Sequence, residues 1–219
     1  MRKQWIRRLG RGRAAGLRWG LATGLLLPAF SCGVSGGGGD SSSSDQLDEA
    51  WRRYRLGQYE SAATLFEELA LDDVELAESY GGLGWSRLHL LNPAGARQAF
   101  QSSLVGDADW LDSRAGELFA LRDAGAAADV LLNRARSMLQ AGPAWRFQHE
   151  QSVDWQDVRV LTAQVFYYTQ RFDSCLTQCL AVDNSIALTR GDTLSWQGAP
   201  TFETALLREV ERLGEWVAN

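Results

Sequence analysis

Two histidines, His89 and His149, and three cysteines, Cys32, Cys175 and Cys179, are the side chains of this 219-residue chain with the most obvious capacity for acid-base, nucleophilic or metal chemistry. Their spacing supports little of it. His149-Glu150-Gln151-Ser152-Val153 opens like a zinc-protease helix, which needs a second histidine four residues on to face the same ion, and Val153 stands there instead. One metal ligand is missing. No serine sits in a strand-to-helix nucleophile elbow, no glycine-rich loop runs into Lys-Ser/Thr, and no Asp-x-Asp-x-Asp-Gly calcium loop occurs. Gly82-Leu83-Gly84 lies within a helical pattern, where small residues let helices approach, and is no dinucleotide fingerprint. Cys175 and Cys179 are four apart on one helical run, which holds their Cα atoms near the upper limit for a disulfide, so they are expected as small apolar core residues. Arg190-Gly191-Asp192 reads as a turn. The expectation is a protein that is not an enzyme, with no cofactor and no metal.

The elements that carry these residues follow from charge and periodicity. Residues 1–31 hold seven basic side chains and no acid, while the chain from Cys32 onward has 15 basic and 27 acidic side chains, a net −12. Such a surface repels phosphate backbones, so nucleic acid is not an expected partner. From Asp45 the apolar residues recur at three- and four-residue steps, as in Leu47, Ala50, Trp51 and Tyr54, and again in Tyr80, Leu83, Gly84 and Leu88. That is the period of a helix. About 175 residues follow the leader and the Gly/Ser tract, enough for one domain with a core.

The leader has a basic region to Arg18, an apolar run from Trp19 to Phe30, and then Ser31-Cys32-Gly33. Twelve apolar residues are too few to span a bilayer core, which takes roughly 20 as a helix, so 1–31 reads as a secretory signal. Ala29-Phe30-Ser31-Cys32 resembles the lipobox of bacterial lipoproteins, in which the cysteine is diacylated and becomes the new N-terminus, although Ala29 and Phe30 depart from its usual leucine and small residue. Residues 32–44 are then the lipidated Cys32 and a flexible Gly/Ser tether with a reach of roughly 20 Å. The resemblance implies lipidation at Cys32, attachment to a membrane through the N-terminal lipid, and a place in the bacterial cell envelope, at the outer membrane in a diderm.

Self-similarity organises residues 45–219. Trp51 and Trp85, Arg53 and Arg87, Leu56 and Leu90, Ala62 and Ala96, and Phe66 and Phe100 are all 34 apart. Tyr54-x-x-Gly57-x-Tyr59-x-x-Ala62-x-x-x-Phe66 resembles the turn and second helix of a tetratricopeptide (TPR) repeat. A second copy has Leu88, Pro93, Ala96 and Phe100, a third Phe119, Ala127 and Leu131, and a fourth Tyr167, Phe172, Cys175 and Cys179. The alanine-equivalent positions 62, 96, 127 and 175 place an insertion of about 14 residues at Gly142–Asp154, expected as loop. Arg53 and Arg87 replace a family tyrosine. The fold class expected is all-α, a TPR-like helix-turn-helix solenoid of about four repeats. Phe202, Leu206, Val210, Leu213 and Trp216 share one face of a C-terminal capping helix. Asp183–Ala199 is a long connection with room for a short hairpin.

In that family alternate helix-A positions line a concave groove, and the resemblance puts Trp51, Tyr54, Trp85 and Leu88 there as partner-binding residues. Helix-spaced aromatics more often form a core, and both readings stand at this point. The implied partner is a protein or peptide in the cell envelope. The alternative is a glycan- or peptidoglycan-binding lipoprotein that stacks exposed aromatics on sugar faces.

Overall fold

The computed structural model describes residues 42–217. The signal segment, Cys32 and the tether as far as residue 41 lie outside the described residues. Nine α-helices follow in order among those described: α1 (Ser43–Arg55), α2 (Tyr59–Leu71), α3 (Leu76–His89), α4 (Pro93–Gly106), α5 (Leu111–Asp123), α6 (Ala128–Ala141), α7 (Trp155–Tyr168), α8 (Phe172–Val182) and α9 (Phe202–Trp216). Helix α1 starts inside the stretch expected as tether. Ser42 accepts from the Asp45 backbone N–H while Asp45 reaches back to the Ser42 N–H, a reciprocal cap that starts the helix two residues before Asp45.

Helices α1–α8 form four hairpins, each packed on the next. The turns within the hairpins are built alike. Helices α1, α3, α5 and α7 are capped at Leu56, Leu90, Ala124 and Thr169, and the next residue in each case, Gly57, Leu91, Gly125 and Gln170, has a φ between 58° and 76°. One six-to-one hydrogen bond closes each turn: Gln58 N–H to Arg53 O, Asn92 to Arg87, Ala126 to Leu121 and Arg171 to Phe166, at 2.8–3.0 Å. Glycine takes this conformation without penalty, whereas Leu91 and Gln170 bear a cost of about 1 kcal/mol, which explains why the turns look unlike one another in sequence.

The cap positions give steps of 34, 34 and 45 residues, so the insertion before α7 is 11 residues. The third repeat is registered differently from the sequence expectation. Its turn has one extra residue and Ala127 is the N-cap of α6, so Leu131 and Ala135 occupy the places of Ala62 and Phe66. Small and large have changed places along the helix, and the combined volume is similar. Cys175 and Cys179 fill the same two places in α8 as free, fully buried thiols. Their mutual hydrogen bond, with burial, holds the Cys175 thiol far above the usual thiol range.

Glycines permit the closest approaches. A Cβ on Gly82 would lie 2.4 Å from the Phe66 ring, and one on Gly116 2.2 Å from Phe100. Each B-helix phenylalanine thus seats against a following A helix at a distance only glycine allows. Arg53 and Arg87 bridge the hairpin turns instead of the expected tyrosine: Arg53 donates to Ser61 Oγ and pairs with Glu49, while Arg87 donates to the Gly95 carbonyl and pairs with Glu67.

Two apolar cores result. The larger joins α1–α6 to the first turns of α7, and the smaller joins α7, α8 and α9. In α9, Phe202, Leu206, Val210 and Leu213 are buried as expected, but Trp216 is 51% exposed, while the next residue, Val217, packs against the core. The connection from Asp183 to Ala199 contains a 3-10 helix at Thr193–Trp196, capped by Asp192, and no hairpin. Arg190 in the Arg-Gly-Asp turn lies over the Phe202 ring at 4.6 Å and pairs with Asp173 on α8 and Glu203 on α9. It ties two helices together.

Candidate functional site

The insertion between α6 and α7 does not hang in solvent. Residues 142–154 fold into a narrow tongue that turns back over α5, α3 and α1. The Phe147 N–H donates to the Val153 carbonyl, the Val153 N–H to Glu150, and the Trp155 N–H to Trp145, with a bridge between Arg146 and Asp154. Side chains alternate along the outgoing arm. Trp145, Phe147 and the half-buried His149 point inward, while Arg146 and Gln148 are exposed.

The inward rings land on the residues expected to bind a partner. Phe147 stacks on Trp85 with ring centres 4.4 Å apart, and His149 stacks on Trp51 at 3.5 Å with the planes 5° from parallel. Trp51, Tyr54, Trp85 and Leu88 are 4%, 2%, 0% and 2% exposed, so none meets a partner while the tongue is in place. The physical reason is that the insertion supplies the apolar cover which a groove of this kind would otherwise lack. Phe147 and Val153 are fully buried, and each contributes about 1.5–3 kcal/mol of apolar burial.

Polar contacts fix the register of the tongue. Tyr54 Oη donates to Glu150 Oε2 at 2.9 Å, and His89 Nε2 lies 3.0 Å from the same oxygen. Tyr59 stacks on His89 at 4.0 Å and holds that ring in place. Trp51 Nε1 donates to Glu78 Oε1 and Trp145 Nε1 to Asp112 Oδ1, both at 2.7 Å. Arg55 reaches His149 Nδ1 at 3.4 Å. The two histidines are thus brought within one cluster, although not as a zinc pair. Among the described residues no group of three His, Cys, Asp or Glu side chains could hold a metal ion, and no helix is long and apolar enough to cross a membrane.

Burial leaves its mark on the ionisable groups. It pushes the Asp112 carboxyl up to about 6 against the bond from Trp145, raises Glu78, and holds the Tyr54 hydroxyl well above its ordinary range with help from Glu150. Burial, with Arg55 nearby, lowers His149 to about 4. The signs oppose. Asp112 stabilises the fold at low pH and loses that contribution as pH rises through about 6, whereas His149 stabilises it above 6.5 and loses its contribution as pH falls toward about 4. Asp112→Asn keeps an acceptor for Trp145 and removes only the first. Urea midpoints of this variant at pH 4, 5, 6 and 7 are expected to fall more steeply with acid than those of the unsubstituted chain, and parallel profiles would contradict the assignment.

Trp145, Phe147, His149 and Glu150 were not expected in the groove from sequence. A signal was present: rings at every second residue from 145 to 149, with Val153 beyond, is the pattern of an extended arm with one face buried. An insertion of about 14 residues without helical periodicity reads as loop, and nothing in that reading says where the loop lies.

Solved structures share this architecture. A thermophilic TPR protein of Thermus thermophilus, TTC0263, is 15% identical and superimposes with a TM-score of 0.50 over 80% of this chain and 91% of its own. YrrB, described as a TPR protein with an unusual peptide-binding site, is 13% identical with a TM-score of 0.57, covering 81% of this chain and 90% of its own. MamA of AMB-1 is 16% identical, with a TM-score of 0.54 over 78% and 98%. At such identities the likeness is one of fold, and the chain has a TPR-like solenoid fold. No protein-family model and no curated protein matches the sequence.

Proposed function

We propose that this chain is a lipid-anchored, non-catalytic scaffold of the bacterial cell envelope that holds a protein or peptide partner on its helical solenoid. One observation carries the reading: a TPR-like stack of four helical hairpins stands behind a signal-like leader, a lipobox-like Ala29-Phe30-Ser31-Cys32 and a Gly/Ser tether. Stacked hairpins offer a long curved surface at little cost in chain length, which suits binding better than catalysis. The tether and lipid would hold that surface clear of the headgroups, facing partners in the same compartment. The glycan-binding alternative draws less support. It needs exposed rings, and among the described residues Tyr168 and Trp216 are the large aromatics left exposed, on α7 and α9.

Two experiments bear on the two halves of the proposal. Cells supplied with radiolabelled palmitate are expected to label the full-length chain and not Cys32→Ser; equal label in both would end the claim of lipidation at Cys32. Pull-down from envelope extracts, set against binding to a glycan array, separates a protein partner from a sugar.

A further inference from the structure

The tongue covers Trp51, Tyr54 and Trp85, the face on which the TPR resemblance places a partner, and its contacts are those that association uses. Two ring stacks, an indole on a carboxylate, and a carboxylate held between Tyr54 and His89 resemble an interface of aromatic anchors with a few directed polar bonds. The outer side of the tongue, with Arg146, Gln148, Gln151 and Ser152 exposed, offers no comparable apolar surface. We infer that the tongue is an exchangeable occupant of the concave groove, and that the groove's partner is a peptide segment presenting the tongue's own pattern, a ring at one position, a second ring two residues on and a carboxylate at the next. The inference rests on the scaffold reading and names the partner chemistry for it.

The pattern follows from the geometry. Phe147 meets Trp85, His149 meets Trp51, and Glu150 meets Tyr54 and His89, so an extended segment with the same side chains at the same spacing satisfies all three contacts. Opening is opposed by the burial of Phe147 and Val153. At neutral pH it is favoured by the return of water to Asp112 and Glu78, whose charged forms burial disfavours in the closed state. Both ends of the tongue remain attached to α6 and α7, and Asp154 at its base caps α7, so the exchange concerns residues 143–153. The partner's apparent affinity is its affinity for the open groove reduced by the fraction of molecules that are open.

The test uses the full-length chain. Amide exchange is followed at Phe147 and Val153, whose N–H groups are bonded within the tongue, and at the fully buried residues of α3 and α5. The tongue amides are expected to exchange at least tenfold faster than the core amides and with a weaker dependence on denaturant. Exchange at the same rate and with the same denaturant dependence as the core would make the tongue a permanent part of it and overturn the inference. A second arm titrates a labelled synthetic peptide, acetyl-Trp-Arg-Phe-Gln-His-Glu-Gln-Ser-Val-Asp-amide, into the unsubstituted chain and into Phe147→Ala. Binding at least tenfold tighter to the variant is expected, together with loss of binding when the peptide's Phe and His are replaced by Ala. No binding to either chain, or equal binding by the Ala-substituted peptide, would overturn it. Where Phe147→Ala is unfolded by circular dichroism, Glu150→Gln serves in its place, since it loosens the tongue without leaving a cavity. The exchange arm needs no natural partner, so a tongue that stays shut ends this inference and leaves the scaffold reading standing with its surface elsewhere.

Discussion

Trp85→Ala is expected to lower the unfolding free energy by about 3–5 kcal/mol. The indole is fully buried, packed edge-on to Phe100, tilted against Phe119 and stacked on Phe147, so truncation empties a volume bordered by two repeats and the tongue at once. These neighbours are held by different elements and cannot collapse together into the gap. Its Nε1–H has no hydrogen-bond partner, so no bond is lost and the whole effect is one of packing. Urea or guanidinium denaturation reads the change directly. A loss under about 1 kcal/mol would mean that the ring is solvated in solution and that the tongue does not cover it.

Phe147→Ala is expected to cost a similar amount, about 3–5 kcal/mol, although the residue belongs to an insertion and to no helix. Loop substitutions ordinarily change stability by less than about 0.5 kcal/mol, so the prediction separates a seated tongue from a surface loop. The ring is fully buried and lies within 6.1 Å of Trp51 and Tyr54 as well as stacking on Trp85. Its removal is also expected to leave the tryptophans of the groove open to iodide, which quenches only rings it can reach. A small change in midpoint with unaltered quenching would contradict the seating.

The repeat was legible because each of its devices leaves a mark in sequence at a fixed step: Trp51 and Trp85 on the A helices, Ala62-x-x-x-Phe66 and Ala96-x-x-x-Phe100 on the B helices. The third repeat was misregistered for an equally physical reason. Leu131 and Ala135 exchange the small and large positions, and Ala127 offered a false match four residues too early. The four turns share one backbone conformation, yet only Gly57 and Gly125 advertise it, while Leu91 and Gln170 adopt it under constraint from the helices on either side. Of the residues that helix position assigns to the groove, Trp51, Tyr54 and Trp85 do face the tongue. Their exposure was not readable, because it depends on where Phe147 and His149 lie in space, and a loop's long-range contacts have no period.

The double-mutant cycle between Trp85 and Phe147 tests most directly whether the groove is filled by the chain's own tongue. Trp85→Leu and Phe147→Leu keep enough volume for all four proteins to be folded, and neither residue shares a helix or a neighbouring sequence position with the other. If the rings stack as described, the two losses are not independent, and a coupling of at least about 1 kcal/mol is expected from the cycle. Losses that add to within about 0.3–0.5 kcal/mol would show that the two rings do not touch, and with that the tongue would be out of the groove.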